Sequence, residues 1–128
     1  MQKLFTLTLA ASLLVLSAFS PLKGLDDVIS ALNSGNATEL SKYVDDNIEI
    51  ALPDKADSYS RAQALMVLRD FFANNGVRSF EVKHKGENAG SQFCVGTLHT
   101  RSGDYRTTVF MKTRNDRQLV REIRFQPL

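Results

Sequence analysis

At 128 residues, with 43% hydrophobic and 23% charged side chains, the chain has the make-up of one globular domain; a disordered polyelectrolyte and two ordinary domains are both excluded. A formal net charge of +2 is too weak for a protein held to nucleic acid by charge alone. The single cysteine, Cys94, rules out an intramolecular disulfide, so the core must carry the fold.

The N-terminus reads as a secretory leader. Met1-Gln2-Lys3 is a short basic start, Leu4–Leu16 is a Leu-rich run, and the small residues Ser17, Ala18 and Ser20 follow. As a helix that run spans about 20 Å, short of the ~30 Å hydrocarbon core, which favours removal over a retained anchor. The expected division is a signal peptide over 1–18, cleaved somewhere between 18 and 24, and a single domain over 25–128. Such a protein resides in the periplasm or is secreted, and it meets the membrane only through the leader before cleavage. Beyond the leader the charge is asymmetric. Phe19–Asn75 holds five Lys/Arg and nine Asp/Glu, whereas Gly76–Leu128 holds ten and five.

Leu25, Val28, Ile29 and Leu32 follow the spacing of one apolar helix face and predict a helix over Leu25–Asn33, stopped by Asn33-Ser34-Gly35. Asn36 and Glu39 outline the start of a second helix, Ala37–Val44. Ile48, Ile50 and Leu52 alternate, which predicts a strand ended by Pro53-Asp54, with Glu49 facing out. Lys55–Tyr59 reads as a polar loop. Ser60 and Gln63 then form a capping box for the longest helix, Arg61–Ala73, whose stripe is Ala64, Leu65, Leu68, Phe71 and Phe72.

Four strands follow: Val77–Gly86, Gln92–Thr100, Tyr105–Thr113 and Gln118–Gln126, with turns at Asn88–Ser91, Ser102–Asp104 and Asn115-Asp116. In the second, Phe93, Val95, Thr97 and His99 alternate with Cys94, Gly96 and Leu98. In the third, Tyr105, Val109 and Met111 lie opposite Arg106, Thr108 and Phe110. In the fourth, Leu119, Ile123 and Phe125 lie opposite Val120, Glu122 and Arg124. Short turns favour an antiparallel meander, and its oily face needs a helical lid, giving α+β layers. Gly96, inside a strand, marks a bend or bulge.

This element order resembles the NTF2-like (cystatin-like) fold, a cone with three N-terminal helices packed on a curved, mostly antiparallel sheet. The fold is shared by nuclear transport factor 2, scytalone dehydratase and ketosteroid isomerase. The segments Asp27–Gly35, Leu52-Pro-Asp-Lys55, Phe80–Gly86, Gly90–Cys94, Tyr105-Arg-Thr-Thr108 and Glu122-Ile-Arg-Phe125 are similar to a family of small uncharacterised exported proteins of Bacteroidetes. The resemblance implies the fold, export and dimerisation through the sheet; it names no reaction.

Chemistry-bearing constellations are sparse. A ketosteroid-isomerase-like site would need an inward carboxylate with hydroxyl or acid partners; Asp46 and Tyr43 are the nearest materials and do not make a set. His84 and His99 are the two histidines, distant in register and without inward ligands at metal spacing, so neither a metal nor another cofactor is expected. The arginines of the C-terminal half are not interleaved with aromatics as in a nucleic-acid module, and no nucleic-acid partner is expected. The reading favours a non-catalytic domain that binds a small molecule or a protein partner. The alternatives are a structural or self-assembling envelope protein, and an isomerase- or dehydratase-like enzyme. A cavity between sheet and helices is expected to be lined by Leu32, Val44, Leu68, Phe72, Phe93, Val95 and Tyr105. Tyr43, Phe72, Phe93, His99, Tyr105 and Arg106 are the candidate ligand-binding residues, for a small apolar or anionic ligand. Phe71, Phe110 or Phe125 would serve a homodimer face on the sheet.

Overall fold

In the computed structural model, which describes residues 24–128, three helices cover one face of a six-stranded sheet. The leader expected at 1–18 lies outside the described residues. Helix α1, Leu25–Ser34, buries Leu25, Val28, Ala31 and Leu32. It ends at Gly35, whose φ of 63° is the left-handed conformation that a side chain resists. Asn36 then caps α2, Ala37–Ser41, its side chain accepting from the Glu39 N–H at 3.0 Å. This helix is shorter than its expected span to Val44. Val44 instead opens strand β1, Val44–Ala51, and pairs with Val120.

Strand β2, Ala56–Ser60, runs antiparallel to β1, with Asn47 opposite Ser60 and Ala51 opposite Ala56. The expected polar loop at Lys55–Tyr59 is therefore a strand. Its residues are mostly exposed, so backbone pairing holds it rather than an apolar face. Ser60 closes β2 and caps α3, Arg61–Asn75, through the full capping box with Gln63. Strands β3 (Val77–Asn88), β4 (Ser91–Thr100), β5 (Gly103–Arg114) and β6 (Arg117–Pro127) form the expected meander. The sheet order is β2-β1-β6-β5-β4-β3, antiparallel throughout except for the parallel pair β1–β6.

The oily side of the meander lies beneath the helices. Phe125 stands 4.5 Å from Phe71 and 6.1 Å from Phe72, ring centre to ring centre, joining β6 to α3. Leu32, Leu68, Leu98, Val109 and Ile123 are all fully buried in the same cluster. Each such side chain contributes roughly 1.5–3 kcal/mol of burial, which is why the short helices persist.

Two alternations differ from expectation. In β6, Phe110 faces Glu122 while Met111 faces Val120, so Arg121 is an extra residue at a bulge. The bulge turns Val120 and Ile123 to the same, helical side. In β4 the buried, helix-facing residues are Cys94, Gly96, Leu98 and Thr100. Gly96 is required there: an added Cβ would sit 2.4 Å from the Glu81 carbonyl oxygen and 2.7 Å from the Phe80 ring. The register shift expected near Gly96 occurs across the pair, in β3 at Lys83. Phe93, Val95, Thr97 and His99 consequently face away from the helices. The expected helix-side cavity is not assembled from its proposed lining. Leu32, Val44, Leu68 and Phe72 pack into the core, while Phe93 and Val95 lie on the opposite face.

Candidate functional site

Strand register arranges the outer face of the sheet in rows. One row runs Gly86, Phe93, Phe110, Glu122, Glu49 and Ser58 from β3 to β2. The next runs His84, Val95, Thr108, Arg124, Ala51 and Ala56, and a third runs Glu81, Thr97, Arg106 and Gln126. Phe93 and Phe110 are direct cross-strand neighbours, and they remain 37% and 38% exposed. Gly86 makes room for the first: a Cβ there would come within 2.3 Å of the Phe93 ring, so that ring lies across the β3 backbone. These rows form an open trough of about 760 Å³ with an aromatic and aliphatic floor of Phe93, Val95 and Phe110. Lys83, His84, Arg106 and Arg124 supply its basic groups, with Glu122 beside them.

The charges in the trough are partly paired. Lys83 bonds Glu81, which holds the Glu81 carboxyl below its ordinary range, and the Arg124 Nε donates to Glu122. Arg106 and Glu49 form no ion pair among the described residues. Phe93 and Arg106 are thus the two candidate residues that the fold brings to one place. Sequence alternation also put Thr108 and Phe110 beside Arg106. It misses the trough as a whole because it points Phe93 and Val95 of β4 toward the helices, where the fold places Cys94 and Leu98.

The other candidates stand apart. Phe72 is in the core. Tyr105 is on the helical side, its hydroxyl donating to Asn75 Oδ1 at 2.9 Å and its ring edge-on to Phe71. Tyr43 donates to Asp27 Oδ2 at 2.8 Å, and that bond, with partial burial, raises the phenol pKa. His99 Nδ1 lies 3.1 Å from Asp104 Oδ1 at the β4–β5 hairpin. Asp46 is held by Arg114 at 3.0 Å and by Arg61 at 3.2 Å, and the Arg114 bond lowers its pKa. Tyr43, Asp46 and His99, on which an isomerase-like arrangement would draw, each have separate partners. Among the described residues, no group of three or more His, Cys, Asp or Glu is placed to hold a metal ion. No described helix is long and apolar enough to cross a membrane.

A second polar cluster, which the sequence did not announce, joins distant parts of the chain. Asp45 is buried at 3% exposure. Its Oδ1 accepts from Arg114 Nη1 at 2.6 Å and from the Asp46 N–H at 2.7 Å, and its Oδ2 lies 3.6 Å from Arg121 Nη1. Arg61 Nε also donates to the Val44 carbonyl at 2.9 Å. The cluster ties the start of β1 to the N-terminus of α3 and to the β5–β6 hairpin. Each charged group there has an ion-pair partner within the fold, so it reads as a clamp.

Three helices on a mixed, mostly antiparallel sheet with this strand order make an NTF2-like (cystatin-like) fold. The similarity to an NTF2-like protein of unknown function from Cytophaga hutchinsonii is one of fold, with a TM-score of 0.61 at 10% identity, covering 86% of this chain and 94% of that one. The chain belongs to the DUF4783 family, described as a domain of unknown function, which it matches over residues 25–126. It is similar to a DUF4783 protein from Bacteroides ovatus at 31% identity and a TM-score of 0.77, covering 80% of this chain and 93% of that one. A relative from Bacteroides uniformis gives 30% identity and a TM-score of 0.78, with 80% and 95% covered. Among curated proteins, none matches.

Proposed function

We propose that the protein is an exported, non-catalytic binding domain whose working surface is the outer face of its sheet, and that this face docks a second copy of the chain. The observation that carries this reading is the contrast between the two faces. The helix-side residues fill the core, while Phe93 and Phe110 stand side by side and over a third exposed on the opposite face. An exposed aromatic patch on a regular sheet, rimmed by polar groups, suits assembly better than enclosure of a substrate. Export is supported by the basic start, apolar run and small residues at the N-terminus. The absence of convergence among Tyr43, Asp46 and His99 supports the non-catalytic part. Light scattering on the mature protein tests the reading: it expects a dimer, converted to monomer by Phe110→Asp with the circular dichroism spectrum intact. A dimer unchanged by Phe110→Asp would refute it.

A second reading is favoured by Arg106, a cation that forms no ion pair among the described residues and stands beside an apolar floor. It takes an anionic amphiphile into the trough, with its charged end at Arg106 and its apolar body over Phe93 and Phe110. Saturable binding of a fatty-acid anion to a monomer, lost in Arg106→Ala, would favour it over the first.

A further inference from the structure

The outer face carries its own instructions for how a second copy would lie on it. Lys83 is paired with Glu81, and Arg124 with Glu122, so these four charges are already answered within one chain. Arg106 and Glu49 are exposed and unanswered among the described residues. Lys112 is also exposed and in no ion pair among the described residues, but it lies one row beyond Phe110, opposite Ser91 and Leu119, where the face ends; Arg106 is the free cation beside the trough's apolar floor. Covering Arg106 or Glu49 without a partner would cost several kcal/mol. A two-fold interface is self-complementary, so one free cation and one free anion on the same face can satisfy each other twice.

We propose that the two copies cross about a two-fold axis running from Arg124 to Phe93, with Arg106 paired to Glu49 of the partner subunit in both directions. The proposal rests on the self-association reading above. Arg106 and Glu49 lie two strands and two rows apart, roughly 17 Å at ordinary sheet spacings. Their midpoint falls on Arg124, one strand and one row from each. An axis perpendicular to the line joining them crosses β5 between Thr108 and Phe110 and reaches Phe93. That operation sets Phe93 against Phe93 of the partner subunit, and Phe110 over Val95 of the partner subunit. The apolar floors therefore meet in the same register that pairs Arg106 with Glu49. Where the axis meets β6, each Arg124 is already neutralised by its own Glu122. The strands of the two sheets cross at roughly 70°, close to the orthogonal class of sheet packing.

Charge reversal tests this register. Dimer dissociation constants are measured by dilution for the wild type, Arg106→Glu, Glu49→Arg and the two together, with thermal melts confirming folding. Each single reversal is expected to weaken the dimer by about tenfold or more. The double reversal is expected to return to within about threefold of the wild type, and Lys112→Glu to stay within the same range. A wild-type dimer insensitive to the single reversals, or a double variant no tighter than the singles, overturns this register and leaves self-association standing. A monomeric wild type overturns both.

Discussion

Replacing Asp45 by Asn removes one charge and almost no volume from the clamp at the start of β1. The Asp45 carboxylate is nearly inaccessible, with 4% side-chain exposure, and accepts a hydrogen bond from Arg114 at 2.6 Å and another from the Asp46 N–H at 2.7 Å. The amide keeps the shape but loses the charge, and its NH₂ group must face Arg114, Arg121 or the Asp46 N–H, all of them donors. A hydrogen bond to a charged group contributes about 1.5–3 kcal/mol. Arg114 and Arg121 are about half exposed, at 51% and 49%, so water recovers part of their loss. The expected cost of Asp45→Asn is therefore about 2 kcal/mol, near the lower end of that range. For a domain of about 100 residues this lowers the Tm by roughly 8–15 °C. The comparison is Lys42→Ala, which removes an exposed i,i+3 pair with Glu39, at 60% and 49% side-chain exposure, and should cost at most about 0.5 kcal/mol. Urea unfolding of both variants separates the cases. An Asp45→Asn protein within about 0.5 kcal/mol of wild type, with an unchanged urea slope, would show that the clamp is not what holds this corner.

Further outcomes follow from other positions. Gly96→Ala should destabilise by about 1–3 kcal/mol, because its Cβ meets the Glu81 carbonyl oxygen at 2.4 Å, and backbone gives way less readily than a flexible side chain. Gly90→Ala, with nothing within 4 Å but a φ of +77°, should lose only about 1 kcal/mol, and thermal melts rank the two. Burial pushes the Cys94 thiol up to about 11, so the native protein should resist thiol reagents at pH 8 and react fully once unfolded. Because the folded value lies above the unfolded ~8.5, this contribution is complete below pH 8.5 and is lost as the pH rises toward 11; Cys94→Ala should flatten that alkaline limb. Asp46 has the opposite sign. Its lowered pKa stabilises the fold above the unfolded carboxylate pKa of about 3.9, and the effect disappears as pH falls through the folded value, so Asp46→Asn should flatten the acid limb of a stability–pH series.

Much of the fold was legible because local signals agreed. Ser60 and Gln63 announce α3 by chemistry, and the structure forms both bonds of their capping box. The Asn115-Asp116 turn is confirmed by two positive φ angles, 52° and 62°, in a two-residue hairpin. Strand β2 was not legible. Ala56–Ser60 carries no apolar alternation, and its order comes from pairing with β1. The phase of β4 was ambiguous because both of its faces carry apolar residues. Hydrophobic size favours Phe93 and Val95 for the interior, yet the fold buries Cys94, Gly96 and Leu98, since the Phe80 ring needs the space above Gly96.

The same ambiguity hid the candidate site. The sequence places Phe93 and Arg106 on adjacent strands, but only the register shows that both point to the outer face with Phe110 and Arg124. In β6 the extra residue Arg121 breaks a strict two-residue period, so Val120 could not be placed by alternation. The Asp45–Arg114 bond joins residues 69 positions apart, and no local pattern encodes it.

Sedimentation equilibrium on the mature wild-type protein, over a concentration series at neutral pH, tests the central claim most directly. A covered outer face predicts a mass converging on twice that of the chain as concentration rises. A mass that stays at one chain throughout would contradict it.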